Sequence, residues 1–251
     1  MRQKFSFLIL IISIFLIPKA NAQEPPQLDT LYKVTMVRAA PGKLEALINF
    51  YRAEKNSGYY ESVGEKQPMI MRHSQGDHWD LFLLQPIMSY QAYYGPDMIS
   101  LRAEKASEIL SHKNQENDFL TFEEHLMSYG PETTWVEQEF ADNGYFHLEL
   151  FAAIAGMHDE LLDQRIRENA YLEATGRRAN MIFIGDQGSD IDVFTIGFYK
   201  SLQDYATPSP ASPEQSLKAA VENGFKSNNH IGFNLREFLA YHHDTLAVKV
   251  E

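Results

Sequence analysis

Apolar and polar residues along this chain form one pattern that occurs twice. The segment at 69–84, MIMRHSQGDHWDLFLL, returns at 181–196 as MIFIGDQGSDIDVFTI, a shift of 112 residues without a gap. Between 69–93 and 181–205, nine of 25 positions are identical, whereas unrelated segments would share roughly one position in sixteen. The pattern therefore predicts an internal duplication.

Alternation and helical spacing predict the elements of each half. In the first half they predict strands at 32–38, 67–73 and 79–84, helices at 43–55, 97–112 and 118–129, a loop at 90–96 and a closing strand at 133–137. In the second half they predict strands at 145–151, 180–184 and 191–198, helices at 157–174, 213–223 and 230–241, and a closing strand at 245–250. The same 112-residue shift aligns Tyr129 with Tyr241, so the repeat spans almost the whole pattern.

Each half reads β-α-β-β-α-β with an extra helix before the last strand, which is the ferredoxin-like order. Two such halves in one chain resemble the dimeric α/β-barrel superfamily, which includes NIPSNAP-like and EthD-like proteins, antibiotic-biosynthesis-type monooxygenases and haem-binding chlorite dismutases. The resemblance implies an α+β fold with tandem ferredoxin-like (βαββαβ) repeats, at 32–138 and 145–250, packed sheet to sheet as an intrachain α/β barrel. It rests on topology, and no catalytic motif of a named member matches residue by residue.

The N-terminus is typical of an exported protein. Residues 1–22 have a basic start, an apolar run of about 13 residues and the small-residue site Ala20-Asn-Ala22, which predicts a cleaved signal peptide. Residues 23–31 are predicted to be an extended lead-in. We therefore expect a periplasmic or secreted protein with no stable membrane insertion after cleavage. Cleavage would move the formal charge from −12 to −15, and a chain this acidic repels nucleic acid.

The strand at 145–151 supplies the candidate catalytic residues. Side chains alternate along a strand, and we expect Phe146 and Leu148 to meet the helices, so that His147 and Glu149 point into the barrel. A histidine and a carboxylate two residues apart can hold a metal or share a proton. A hydrogen-bonded polar pair without catalysis is the simpler alternative.

Further candidate binding residues lie at three other places in the chain. The predicted turn before the last strand holds His242 and His243, next to Asp244, and the first hairpin and the 157–174 helix hold the others: Arg72, His73, Trp79, Arg165 and Asn169. Imidazoles beside a carboxylate suit metal or acid–base work, and arginine suits anionic ligands. A solvated turn, a surface hairpin with one packed tryptophan and a solvated helix face are the alternatives.

The function is predicted only as a class. The chain has no cysteine and no GxSxG, P-loop, HExxH or GxGxxG motif, which argues against familiar triad, nucleotide and zinc-protease chemistry. We expect an exported small-molecule-binding protein, and the alternative is a cofactor-independent or haem-dependent oxidoreductase or monooxygenase acting on a small organic substrate. The cofactor and metal are unknown from the sequence, and association into a homo-oligomer is left open.

Overall fold

The computed structural model of the protein describes residues 28–75 and 77–251. The predicted signal peptide at 1–22 and the lead-in at 23–27 lie outside the described residues. Within the described parts of the chain, no helix combines the length and the apolar character needed to cross a membrane.

Eight antiparallel strands close into one barrel. The strands are β1 (Thr30–Ala39), β2 (Met69–Gln75), β3 (Leu81–Met88), β4 (Leu120–Gly130), β5 (Tyr145–Ala153), β6 (Met181–Gln187), β7 (Val193–Tyr199) and β8 (Leu239–Lys249). Their order around the ring is β1-β3-β2-β8-β5-β7-β6-β4. Each repeat thus contributes a four-stranded sheet, and β2–β8 and β4–β6 pairs join the two sheets. This is the predicted α+β fold, an intrachain α/β barrel of two ferredoxin-like repeats.

The helices lie on the outside of this ring. They are α1 (Leu44–Ser57), α2 (Tyr59–Ser62), α3 (Tyr90–Tyr94), α4 (Pro96–Glu104), α5 (Ala106–Asn117), α6 (Thr133–Asp142), α7 (His158–Ala174), α8 (Leu202–Tyr205), α9 (Pro213–Glu222) and α10 (Ile231–Leu235), with a 3-10 turn at Asn228–His230. The main helix of each repeat packs through an equivalent leucine, Leu47 in α1 and Leu161 in α7, and both are fully buried.

The end of each repeat differs from the sequence prediction. The predicted helix at 118–129 is strand β4, and the predicted strand at 133–137 is helix α6. The predicted helix at 230–241 is α-helical only in the short α10, and its last three residues, 239–241, belong to β8. The predicted loop at 90–96 forms α3, capped by the Ser89 hydroxyl, which accepts from the Ala92 amide at 3.1 Å. Residues in β4 and β8 include good helix formers, but strand pairing on both sides outweighs this propensity.

The interior of the barrel is an apolar core built from both sheets. It contains side chains such as Tyr32, Phe82, Phe146, Phe183 and Phe194. The rings of Phe183 and Phe194 stack at 4.6 Å, and Phe82 meets Phe194 from the other sheet at 5.6 Å. The space between the sheets is therefore filled by side chains, and polar chemistry is displaced to the outer faces and the ends.

Strand register gives the structural equivalence of the two repeats. Thr35 lies opposite Leu83 and His125, whereas Glu149 lies opposite Thr195 and Asp244. Thr35 therefore corresponds to Glu149, 114 residues later, and His125 to Asp244, 119 residues later. The constant 112-residue shift holds for β2 and β3 but is wrong for the last strand, because the second repeat has a longer connection before β8.

Candidate functional site

A cavity of about 340 Å³ lies in the first repeat, between the outer face of its sheet and its helices. Four tyrosines from three helices line it, and we call it the tyrosine pocket: Tyr51, Tyr59, Tyr60 and Tyr93. Strands β1, β3 and β4 form the floor with Lys33, Thr35, Leu83, Gln85, Glu123 and His125. Its size lies at the lower end of the range for sites that hold small organic molecules.

A charged network fixes one wall of the pocket. Lys113 from α5 donates to Glu116 at 3.0 Å and to Glu123 at 2.5 Å, and the Tyr51 hydroxyl also donates to Glu116. The bonds to His125 and Lys113 lower the pKa of Glu123 to about 2, against the opposing effect of burial. Burial and the nearby Glu116 carboxylate raise the pKa of Tyr51 well above its ordinary value. The tyrosine is therefore a neutral donor at physiological pH.

His112 on α5 is a mostly buried histidine in the helical wall of the pocket. The imidazole of His112 stacks on Tyr59 with ring centroids 3.9 Å apart. Glu54 Oε2 lies 3.3 Å from its Nε2, yet among the described residues no partner completes a hydrogen bond to that buried nitrogen. Burial lowers the pKa of His112 and raises that of Glu54. A neutral imidazole beside such a carboxyl can accept or pass on a proton.

An arginine offers a further unused donor. The guanidinium carbon of Arg102 lies 3.9 Å from the centre of the Tyr93 ring, and its Nη1 donates to the Tyr93 carbonyl at 2.5 Å. Its Nη2 is buried, and the nearest carboxylate, that of Glu65, is 3.7 Å away. Within the described chain that nitrogen has no hydrogen-bond acceptor. Burial raises the pKa of Tyr93 to about 12.

The corresponding region of the second repeat is packed with its own side chains. Arg165, which occupies the helix position equivalent to Tyr51, is 3% exposed. It pairs with Glu168 and lies 3.7 Å from Glu149, and its guanidinium rests on the Phe151 ring at 4.7 Å. Asn169 exchanges hydrogen bonds of 2.7 and 2.9 Å with the backbone of Asn180. Arg165 and Asn169 are thus used in internal contacts.

The predicted orientation of β5 is inverted in the structure. Phe146 and Leu148 belong to the barrel core, so His147 and Glu149 point outward beneath the helices and not into the barrel. His147 Nε2 bonds Asp244 Oδ1 at 2.6 Å, and Glu149 accepts from Thr195 at 3.0 Å. The apolar residues turn inward because two facing sheets bury more surface than one sheet against a helix.

The other predicted residues lie in different places. Arg72 is half-buried on β2 opposite Val248. Trp79 is fully buried in the core, with His73 5.5 Å from its ring. His242 and His243 lie on strand β8, not on a turn, and point to opposite faces: the ring of His242 stacks on Phe151 at 6.1 Å. These residues and the pair on β5 therefore do not form one site.

Sequence reasoning missed the tyrosine pocket entirely. Its residues come from helical connections that the 112-residue repeat does not preserve. The available signal was the concentration of tyrosine at 51–60 and 90–94, since phenol side chains combine an apolar ring with a polar tip.

Haem, which the resemblance suggests as one alternative, does not fit this pocket. A haem site needs an imidazole aimed at a flat apolar cavity. Here His112 is stacked on Tyr59 and faces Glu54, and both nitrogens of His125 are engaged, with Thr35 at 3.1 Å and Glu123 at 3.3 Å. The lining also contains six charged side chains, among them Lys113 and Glu123, where a macrocycle needs flat apolar walls.

Comparison with known proteins identifies the class of fold. No family model matches the chain, and no curated protein matches it. Among solved structures, an anthrone oxidase-like protein superposes with a TM-score of 0.54 at 14% identity, covering 89% of this chain and 92% of that chain. A candidate monooxygenase from Fusobacterium nucleatum superposes with a TM-score of 0.50 at 10% identity, covering 90% and 94%. These neighbours belong to the dimeric α/β-barrel superfamily, and at such identities the likeness shows the fold alone.

Proposed function

We propose that this protein, once exported, binds a small planar aromatic molecule with carbonyl or phenol oxygens in the tyrosine pocket. The observation that supports the proposal is the combination of four tyrosine rings with two buried, unused polar atoms, Arg102 Nη2 and His112 Nε2. Aromatic walls favour a flat ring. An oxygen atom on that ring would give the guanidinium the acceptor that it lacks among the described residues.

The charges of the pocket favour a neutral ligand over a strongly anionic one. Its lining contains three cations, Lys33, Arg102 and Lys113, and three carboxylates, Glu65, Glu116 and Glu123. Lys113 is already bonded to two of the carboxylates. A hydroxylated aromatic ketone offers acceptors for arginine and tyrosine without adding a charge that must be desolvated.

The test is a thermal-shift and calorimetric titration with hydroxylated aromatic ketones, using aliphatic carboxylates of similar size for comparison. Binding to the folded state alone raises Tm with ligand concentration. Arg102→Met should weaken binding of the ketones at least about tenfold, the effect of losing a charged hydrogen bond. Arg236→Met is the matched control, since this exposed arginine follows the end of α10, away from the pocket lining, and donates to Gly232 O. Equal binding by both variants, or preference for the aliphatic acids, would contradict the proposal.

A second candidate function is oxidation of that ligand without a cofactor, as suggested by the monooxygenase alternative. The observation that favours it is the neutral, mostly buried His112 next to Glu54. His112 would remove a proton from an activated CH₂ group, and the resulting enolate would give electrons to dioxygen. One oxygen atom then becomes the new carbonyl, and the other leaves as water with both hydrogens. Proton removal by such a base accelerates a reaction by about 10²- to 10⁴-fold.

Dioxygen consumption separates binding from catalysis. At saturating ligand, where a change in affinity does not affect the rate, His112→Gln should lower oxygen uptake by about 10²-fold or more. Wild-type protein that binds the ketones but consumes no oxygen with any of them is a binding protein. Oxygen uptake that His112→Gln leaves unchanged would contradict the role of this histidine.

A further inference from the structure

A second cluster of chemistry-bearing side chains lies at the end of the barrel where both β-hairpins are found. We call it the hairpin-end cluster: Asp77, His78 and His243. Asp77 and His78 belong to the β2–β3 hairpin, and His243 lies on the inward face of β8. Asp77 Oδ1 is 2.7 Å from His78 Nδ1 and 3.5 Å from His243 Nδ1. Each residue offers one ligand atom, and the three atoms lie within 4.8 Å of one another.

The carboxylate at the centre of this cluster is buried and incompletely bonded. The side chain of Asp77 is 0% exposed. Its Oδ1 accepts from the amide of His78 at 2.7 Å, but no donor within the described residues reaches its Oδ2. A buried carboxylate that lacks partners is costly, and buried charges in proteins are paired or coordinate metals.

The other hairpin provides an internal comparison. At the other hairpin, the position equivalent to Asp77 is Ser189 in the second repeat, by the 112-residue shift of the hairpin, and the position equivalent to His243 is Glu124 in the first repeat, by the 119-residue shift of the last strand. Ser189 Oγ donates to Glu124 Oε1 at 2.5 Å. Ser189 and Glu124 are hydrogen-bonded to each other, so that no ion is needed there. At the hairpin-end cluster, a carboxylate faces two imidazoles, and Asp77 Oδ2 has no donor among the described residues.

We infer that the hairpin-end cluster binds a divalent transition-metal ion of the zinc type. Two imidazoles and one carboxylate are the donors that zinc takes in three-ligand sites, with a fourth position open to water. Ligand atoms of a tetrahedral zinc site lie about 3.3 Å apart, since zinc–nitrogen bonds are about 2.0–2.1 Å long. The half-exposed imidazoles, at 47% and 39%, have room to rotate to that spacing. The ion would also balance the buried Asp77 charge.

The test is a calorimetric titration of the metal-free protein with zinc chloride. One equivalent should bind per chain, and His243→Gln and Asp77→Asn should each weaken binding at least about tenfold. His242→Gln, on the same strand but the opposite face, and His147→Gln, from the group with Glu149 and Asp244, are controls that should bind zinc as the wild type does. The inference is overturned if the wild type does not bind zinc stoichiometrically. It is also overturned if a control variant loses zinc binding while His243→Gln keeps it.

Thermal unfolding keeps the test valid if a variant is less stable. Zinc should raise the Tm of the wild type and of both controls, but not that of Asp77→Asn or His243→Gln. Metal-free Asp77→Asn should be at least as stable as the wild type, because the amide keeps the bond to His78 and removes an unbalanced buried charge. Asp77→Asn that unfolds earlier and still gains Tm from zinc would show that Asp77 only holds the turn.

Discussion

One residue position makes the packing beneath the main helix differ between the two repeats. On the sheet-facing side of the main helix, the first repeat has Tyr51 where the second has Arg165, one turn after the equivalent leucines Leu47 and Leu161. Arg165 fills the space beneath α7 through its ion pairs and its contact with Phe151. The Tyr51 side chain is shorter than that of arginine, and its hydroxyl donates to Glu116 in the wall of the pocket. The space beneath α1 therefore stays open as the tyrosine pocket.

Removal of the Tyr51 hydroxyl tests this bond. Tyr51→Phe leaves the buried Glu116 with Lys113 as a partner, and we expect the free energy of unfolding to fall by about 1–2 kcal/mol. Urea denaturation measures the change. Tyr94→Phe, whose side chain is 54% exposed, is the control and should stay within about 0.5 kcal/mol of the wild type. A Tyr51→Phe variant as stable as that control would show that the bond contributes nothing.

His147 makes stability depend on pH. Burial by itself lowers its pKa, but the hydrogen bond to Asp244 and the charge of Glu149 outweigh burial and raise the pKa above 6.5. A histidine whose pKa is higher in the folded than in the unfolded protein stabilises the fold fully at pH values below the unfolded-state pKa. This stabilisation is lost as the pH rises through the folded-state pKa. Asp244, whose pKa the same bond lowers below 3.8, stabilises above that value and loses its effect as pH falls through its lowered pKa.

The expected result is a pH window in which the pair stabilises the fold. The difference in free energy of unfolding between wild type and His147→Gln should be greatest between about pH 4 and about pH 6.5, and should shrink at alkaline pH. Urea denaturation of both proteins across this range measures it. Asp244→Asn should remove most of the pH dependence from the difference, and a difference that is constant with pH would contradict the ion pair.

At the scale of elements, the sequence predicted the first three strands and the main helix of each repeat. It missed the last strand of the first repeat, whereas in the second repeat the predicted strand at 245–250 covers the later half of β8. Residues with high strand propensity dominate β1, β3, β5 and β7, where apolar residues meet apolar residues across the barrel. In β4 the outward positions include Glu123 and His125, and the inward ones include Glu124 near the barrel end. This mixture hides the two-residue period, so propensity favoured a helix. Only pairing with β1 and β6, which no local pattern records, makes the segment a strand.

At the end of β4, the backbone of the first repeat packs directly against an aromatic ring of the second. A side chain at Gly130 would place its Cβ 2.3 Å from Phe183 Cδ1 in the second repeat. Gly130→Ala should therefore force the Phe183 ring out of its place in the core and cost about 1–3 kcal/mol. Gly144→Ala is the matched control, since its Cβ would meet only Lys200 O at 3.8 Å. Thermal and urea unfolding of both variants give the comparison, and equal stability would refute the close contact.

At the scale of the whole molecule, the barrel makes the repeats dependent on each other. The duplication predicted two sheets packed together, and the structure confirms that fold. The candidate site was not predictable in the same way. It arises where the repeats differ, in the helices between β1 and β2, in those between β3 and β4, and at Thr35 opposite Leu83. Such divergence leaves no periodic signal. The inner face of each sheet is buried only by the other sheet, because the two share one core. We therefore expect one cooperative unfolding transition.

A substitution in the second repeat, followed by the fluorescence of a tryptophan in the first, tests this cooperativity. Trp79 is buried in the core of the barrel, whereas the other tryptophan, Trp135, is 55% exposed, so Trp135→Phe leaves emission that reports on the interior. In that background, Leu161→Ala removes a buried side chain beneath α7, on the outer face of the second repeat, and should cost about 2–5 kcal/mol. The midpoints from Trp79 emission and from far-ultraviolet circular dichroism should fall together, because unfolding of the second sheet exposes the inner face of the first. If the repeats were independent, the Trp79 midpoint would stay at its original value while the dichroism split into two steps, and the barrel would then be two domains in contact.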